Sequence, residues 1–311
     1  MNTSIEEKLE KIPIVNLLVK FLKQIKLPGF EGLSIYDLLE IYIIGIVKGA
    51  LTARAGAIAF SFFMAIFPFL LFTLIVIPHI PIEGFREEFL MFLESFLPPN
   101  TSDFFFQNIF ENINTGRGGL ISSVFLLSIF LMANGVNAVF SGFENSYHEQ
   151  LTRNVFRQYL YALGVALILA LLLITTVAVF GYFQIYVIEG VLESMGHNDQ
   201  AENAFWINLG KYLFFIIMVY MATATLYYFG TREGRHSRFF SVGALLTTLL
   251  IMLTSYLFGV YIENFSQYNE LYGSIGALLI LMFYLWLNAN ILLLGYELNA
   301  SLNRLKKKIQ S

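Results

Sequence analysis

The stretch "GSIGALLILMFYLWLNANILLLGYELNA" (residues 273–300) decides the fold. No charged residue stands between Gly273 and Glu297, which is long enough for a helix to cross a bilayer. Two amides, Asn288 and Asn290, interrupt the apolar run, and a carboxylate, Glu297, closes it. Such polar groups line a pathway, join helices, or mark the membrane edge.

Composition extends this reading to the whole chain. The 311 residues are 57% hydrophobic and 13% charged, with a mean hydropathy of +0.67. A soluble domain of this size could not bury so much apolar surface, so the bilayer is the solvent. A net charge of −3 argues against a nucleic-acid partner, which would need a basic surface. The absence of cysteine removes disulfides, thiol chemistry and thiolate metal sites. The start, "MNTSIEEKLEKIP", lacks the charged, apolar and small-residue regions of a cleaved signal peptide.

The expected architecture is an all-α integral membrane protein with six transmembrane helices. They fall at about 55–78, 119–141, 159–187, 206–229, 239–261 and 273–297. Basic residues cluster before the first span, in the 142–158 and "TREGRHSR" loops, and in the tail. Outside those regions only Arg86, Arg117 and Lys211 occur, whereas acids dominate the alternate loops. The positive-inside rule then places both termini in the cytoplasm.

Residues 1–54 are expected to form cytoplasmic N-terminal helices, 55–302 the transmembrane domain, and 303–311 a basic tail. Ser34 caps a helix from about Ile35, and Asp37, Glu40, Lys48 and Arg54 prevent it from spanning. It reads as an interfacial elbow bending into the first span, and Gly45 and Gly49 would allow close packing. Upstream, Ile5, Leu9, Ile12, Leu17, Leu18, Phe21, Leu22 and Ile25 oppose a lysine-rich face. That pattern fits a helix on an anionic leaflet, or equally one capping the bundle. Residues 81–118 read as an extracytoplasmic helical hairpin broken at "PPNTSD".

No nucleotide-binding, nucleophile-elbow or zinc-protease motif occurs, so the chain reads as a non-enzyme without cofactor or ATP-driven transport of its own. His79, His148, His197 and His236 are isolated and never at metal-ligand spacing. The intramembrane polar groups remain. At about 1.5 Å per residue, Asn134, Asn137, Thr223, Asn288 and Asn290 fall at one depth in the cytoplasmic half of the bilayer. Such groups face protein or water, either as helix glue or as the lining of a cavity. Asn134 and Asn137 share a helix face, Asn290 and Glu297 nearly share another, and Asn288 points elsewhere. Arg54 lies at the level of Glu297, and an Arg54–Glu297 pair would join the first and last spans as a structural or gating element.

"LTARAGAIAFSFFMAIFPFLLF" (51–72) and "LYGSIGALLILMFYLWLNANILLLGYELNA" (271–300) resemble the entry and exit segments of the YihY/virulence factor BrkB family of bacterial inner-membrane proteins. Arg54, Pro68, Tyr272, Gly273, Trp286, Gly295 and Glu297 match its pattern, while Phe60-Ser61 and Tyr296 depart from it. The resemblance implies a six-span protein of the bacterial cytoplasmic membrane, connected with envelope integrity and lipid export. A ribonuclease label also travels with the family, but no acid–base cluster or basic groove answers to it here. The resulting expectation is a transporter or flippase-like protein for an envelope lipid, with membrane lipids as partners and oligomeric state left open. The alternative is a non-transporting scaffold or envelope assembly factor.

Overall fold

The computed structural model describes residues 13–26, 34–37, 39–40, 51–76, 118–144, 154–183, 200–231, 239–264 and 274–310. The helices are α1 (Pro13–Gln24), α2 (Leu51–Val76), α3 (Gly118–Glu144), α4 (Val155–Phe183), α5 (Gln200–Gly230), α6 (Val242–Asn264) and α7 (Ser274–Gln310). Among the described residues there is no β-strand, only an isolated bridge between Lys26 and Ser34. The hairpin expected at 81–118, apart from Gly118, lies outside the described residues. So do Gly45, Lys48, Gly49 and all four histidines.

Among the described residues six helices, α2 to α7, are long and apolar enough to cross a membrane. Their apolar segments run Leu51–Thr73, Phe125–Glu144, Val155–Val179, Tyr212–Gly230, Val242–Ile262 and Leu278–Asn303. They are hydrophobic nearly all round, as expected of helices solvated by lipid on one side and protein on the other. Leu126, Leu127 and Phe130 of α3 point outward, as do Leu213 and Ile217 of α5 and Leu249, Leu253 and Leu257 of α6.

Most boundaries shift by a few residues from the sequence reading, and two shifts matter here. The helix of the first span, α2, starts at Leu51 and takes in Arg54, because the guanidinium finds partners inside the bundle. The last helix continues to Gln310, so residues 303–310 are a helical extension of the last span. At about 1.5 Å per residue its 37 residues reach about 55 Å, well beyond a hydrocarbon core of about 30 Å.

Consecutive spans touch in order, and α7 returns to α2, which closes a ring. Within it α3 also touches α5 and α7, making it the central helix. Its span is 44% buried, against 11% for α6. Phe140 and Phe143 of α3 are fully enclosed and pack with Ile58, Leu293 and Tyr296 in the main core. Before the ring, Ser34 and Asp37 form a reciprocal cap. The Ser34 N–H and hydroxyl donate to Asp37 Oδ2 at 2.8 and 2.6 Å, and the Asp37 N–H donates back to Ser34 Oγ at 3.3 Å. Residues 35–37 and 39–40 are helical beyond it.

Candidate functional site

The buried polar chemistry gathers at one end of the bundle, where α2, α4 and α6 begin and α3 and α5 end. Arg54, one turn into α2, aims its guanidinium between α3 and α7. Its Nη2 donates to Glu297 Oε1 of α7 at 3.0 Å, and its Nη1 donates to the Gly142 carbonyl of α3 at 2.8 Å. The Glu297 side chain is 2% exposed and that of Arg54 10%. Arg54 Nε is buried without an acceptor, so one donor of the fork goes unused. One cation therefore ties together the first, second and last spans. Charges this deep are retained only when paired and hydrogen-bonded.

Hydroxyls and amides extend the network around the ring. The Tyr227 hydroxyl of α5 donates to the Leu292 carbonyl at 2.7 Å and accepts from Thr247 of α6 at 2.6 Å. The Tyr296 hydroxyl donates to Thr231 Oγ1 at 3.1 Å, while its ring stacks on Phe143 with centroids 4.2 Å apart. On the α3–α4 side, Gln158 Nε2 donates to Ser141 Oγ at 3.0 Å.

The start of α6 is capped from two directions. Ser241 Oγ accepts the Ala244 N–H at 3.2 Å and the Asn299 amide N–H at 2.8 Å. Asn299 Oδ1 accepts the Gly243 N–H at 2.9 Å, one of the donors that a helix start leaves unpaired. Replacing Asn299 by leucine is expected to cost about 1–3 kcal/mol, since it strands that buried N–H. Thermal unfolding in detergent micelles reads the loss, and an unchanged midpoint would remove Asn299 from the cap.

The amides singled out in the sequence behave differently. Asn288 Nδ2 donates to the Tyr284 carbonyl at 2.9 Å and Asn290 Nδ2 to the Trp286 carbonyl at 2.7 Å, each one turn back on its own helix. Thr223 does the same toward Val219 at 2.7 Å. Asn288 Oδ1 is buried and accepts nothing. Asn134 is exposed and Asn137 half-buried, both on α3. No hydrogen bond joins Asn134, Asn137 and Asn290 to one another. The structure does bring Arg54 to Glu297.

Residues that also fasten helix to helix, beyond those singled out as sites, include Tyr227, Tyr296, Thr231, Asn299 and Ser241. Of these, Ser241 carried a signal in the sequence: a hydroxyl just before the apolar run "VGALLTTLL" is an N-cap position.

Six lipid-solvated helices closed at one end by a buried ion pair and a hydroxyl network define a multi-pass helical membrane protein. The chain belongs to the virulence factor BrkB family, whose model matches residues 45–311. It is 27% identical over 261 residues to YfkH of Bacillus subtilis (strain 168), whose name describes it as ribonuclease-like. That match covers 82% of this chain and 91% of YfkH. A UPF0761 membrane protein of Aggregatibacter aphrophilus (strain NJ8700) is 23% identical over 269 residues, covering 84% of this chain and 90% of its own. One from Coxiella burnetii (strain Dugway 5J108-111) is 25% identical over 254 residues, covering 78% and 84% respectively. No solved structure matches the chain.

Proposed function

We propose that the protein moves an envelope lipid within the bacterial cytoplasmic membrane, with both termini on the cytoplasmic side. The observation that carries this reading is the position of Asn134, exposed on the outer face of a membrane-spanning helix. An amide left against hydrocarbon is costly, so the face it occupies has a polar occupant. Positions 134, 137 and 141 follow the helical repeat and place Asn134, Asn137 and Ser141 in one stripe on α3. The neighbouring helix α4 adds Gln158, bonded to Ser141, and Tyr159, whose hydroxyl donates to the Phe130 carbonyl at 2.6 Å. A headgroup in this seam would exchange hydrogen bonds with amides and hydroxyls while its acyl chains stay in the bilayer. On this reading the polar path is a lateral seam along the α3 stripe beside α4.

No catalysis belongs to this reading. The ribonuclease-like name of YfkH is not carried over, because RNA cleavage needs a positioned acid–base pair and a basic groove, and the net charge is −3.

A second reading has its own observation. The interior hydroxyls and amides are spent on helix–helix or same-helix bonds, which suits a scaffold whose exposed stripe docks another membrane helix. Native mass spectrometry of protein purified gently from its own membranes separates the two. The lipid-handling reading expects a specific lipid on the wild type that is lost from an Asn134→Leu/Asn137→Leu variant. Identical nonspecific lipid profiles in both would overturn it in favour of the scaffold.

A further inference from the structure

α1 carries two apolar faces, and the structure accounts for one of them. Val19 is buried, as are Ser34 and Tyr36 in the segment that doubles back on the helix. The return is fixed by the Ile35 N–H donating to the Ile25 carbonyl at 3.1 Å, the Lys26–Ser34 bridge, and Lys23 Nζ 4.8 Å from the centre of the Tyr36 ring. These contacts hold the returning segment against the C-terminal end of α1. On the other side, Leu17 is 78% exposed, Phe21 62% and Ile25 36%, one above the other at four-residue spacing. Lys20 and Gln24 flank this ridge, and Lys20, Lys23 and Lys26 are all exposed. From Pro13 to Lys26 the chain holds three lysines and no acid. An apolar ridge beside Lys20, on a short segment that carries cations and no acid, matches the interface of a bilayer with anionic headgroups.

The tether agrees with that placement. Only residues 41–50 separate Glu40 from the start of α2 at Leu51, so the α1 hairpin lies within about 40 Å of the Arg54 end of the bundle. We infer that α1 lies flat on the membrane surface at that end, with Leu17, Phe21 and Ile25 inserted among acyl chains and its lysines on anionic headgroups. This anchor is independent of the lipid seam between α3 and α4. It makes the protein's attachment at this end sensitive to the anionic lipid content of one leaflet.

The chain has no cysteine, so a single Phe21→Cys can carry a polarity-sensitive fluorophore in the full-length protein. The labelled protein is reconstituted into nanodiscs of phosphatidylcholine alone or mixed with phosphatidylglycerol. Quenching by aqueous iodide is expected to fall about fivefold in the anionic discs, with quenching by brominated acyl chains rising to match. A Lys20→Gln/Lys26→Gln background is expected to abolish the lipid dependence while leaving the thermal midpoint unchanged, and a label at Leu17→Cys provides a second reading of the ridge. Equal iodide access in both lipids overturns the inference. So does shielding without brominated-lipid quenching, which assigns the ridge to a protein contact such as a second copy.

Discussion

Replacing Arg54 by methionine is expected to destabilise the folded bundle by about 3–5 kcal/mol. The loss comes from what stays behind more than from what is removed. Glu297 is 2% exposed, and without the guanidinium its carboxylate is a buried charge facing the core of α7 and α2. The Gly142 carbonyl loses a donor in the same step. Glu297→Leu is expected to cost a similar amount by stranding the cation instead. The double variant Arg54→Met/Glu297→Leu should recover most of the loss, because two apolar side chains can fill the site with no desolvated charge. A double-mutant cycle on unfolding midpoints in micelles checks this, with an expected coupling of more than about 3 kcal/mol, above the range usual for neighbouring residues. Single losses that simply add would show the contact to be energetically idle, each charge being satisfied separately.

The Arg54–Glu297 contact is readable in sequence because charge is scarce within apolar helices. Each residue is the charged group nearest the core of its span at that end, and counting 1.5 Å per residue brings them to one level. The shared level of this pair is therefore legible. Direction is legible in part. The spacing of Asn134 and Asn137 puts them on one face, yet nothing in the sequence says whether that face meets lipid or protein. Bonding choice is not legible at all. Asn288, Asn290 and Thr223 each turn back to their own helix, an option always open to short polar side chains and invisible to spacing. The groups that do cross between helices, Tyr227, Tyr296 and Thr247, sit in apolar runs where a tyrosine or threonine reads as filler. Tyr296 is instructive: a departure from the family pattern in sequence, it is in the structure a buried ring stacked on Phe143 with its hydroxyl bonded to α5.

The closed end and the exposed α3 stripe set different mechanical demands. The network at the Arg54 end binds every span to a neighbour through side chains that have little room to rearrange. On the α3 stripe Asn134 is exposed, so under the proposed function its amide can exchange hydrogen bonds with a headgroup at low cost. Lipid movement of the kind proposed would therefore leave the closed end rigid and use the exposed α3 stripe.

Gly295→Ala is the sharper test of that rigid end, because its sign alone decides. Alanine favours a helix interior over glycine by about 1 kcal/mol, so the change would stabilise α7 wherever there is room. There is none at this position. A methyl group on Gly295 would strike the Thr247 and Tyr227 hydroxyls and the Gly243 carbonyl, the point where the backbones of α6 and α7 lie against each other. Two of those groups belong to the bond between Tyr227 and Thr247, so α6 cannot yield without breaking it. The expected outcome is a loss of about 3 kcal/mol, at the upper end for overpacking a single methyl group, as α6 is levered away from α7. Gly259→Ala on α6 is the control: nothing lies within 4 Å of its added methyl group, and it should be neutral or stabilising. Adding Thr247→Ala to Gly295→Ala removes the nearest obstacle and should restore about 1 kcal/mol, less than the full loss because the Tyr227 hydroxyl then lacks its donor. Unfolding midpoints of the four proteins measure each step. A Gly295→Ala variant as stable as Gly259→Ala would mean that α6 and α7 are not in backbone contact, and the closed end would then be held by side chains alone.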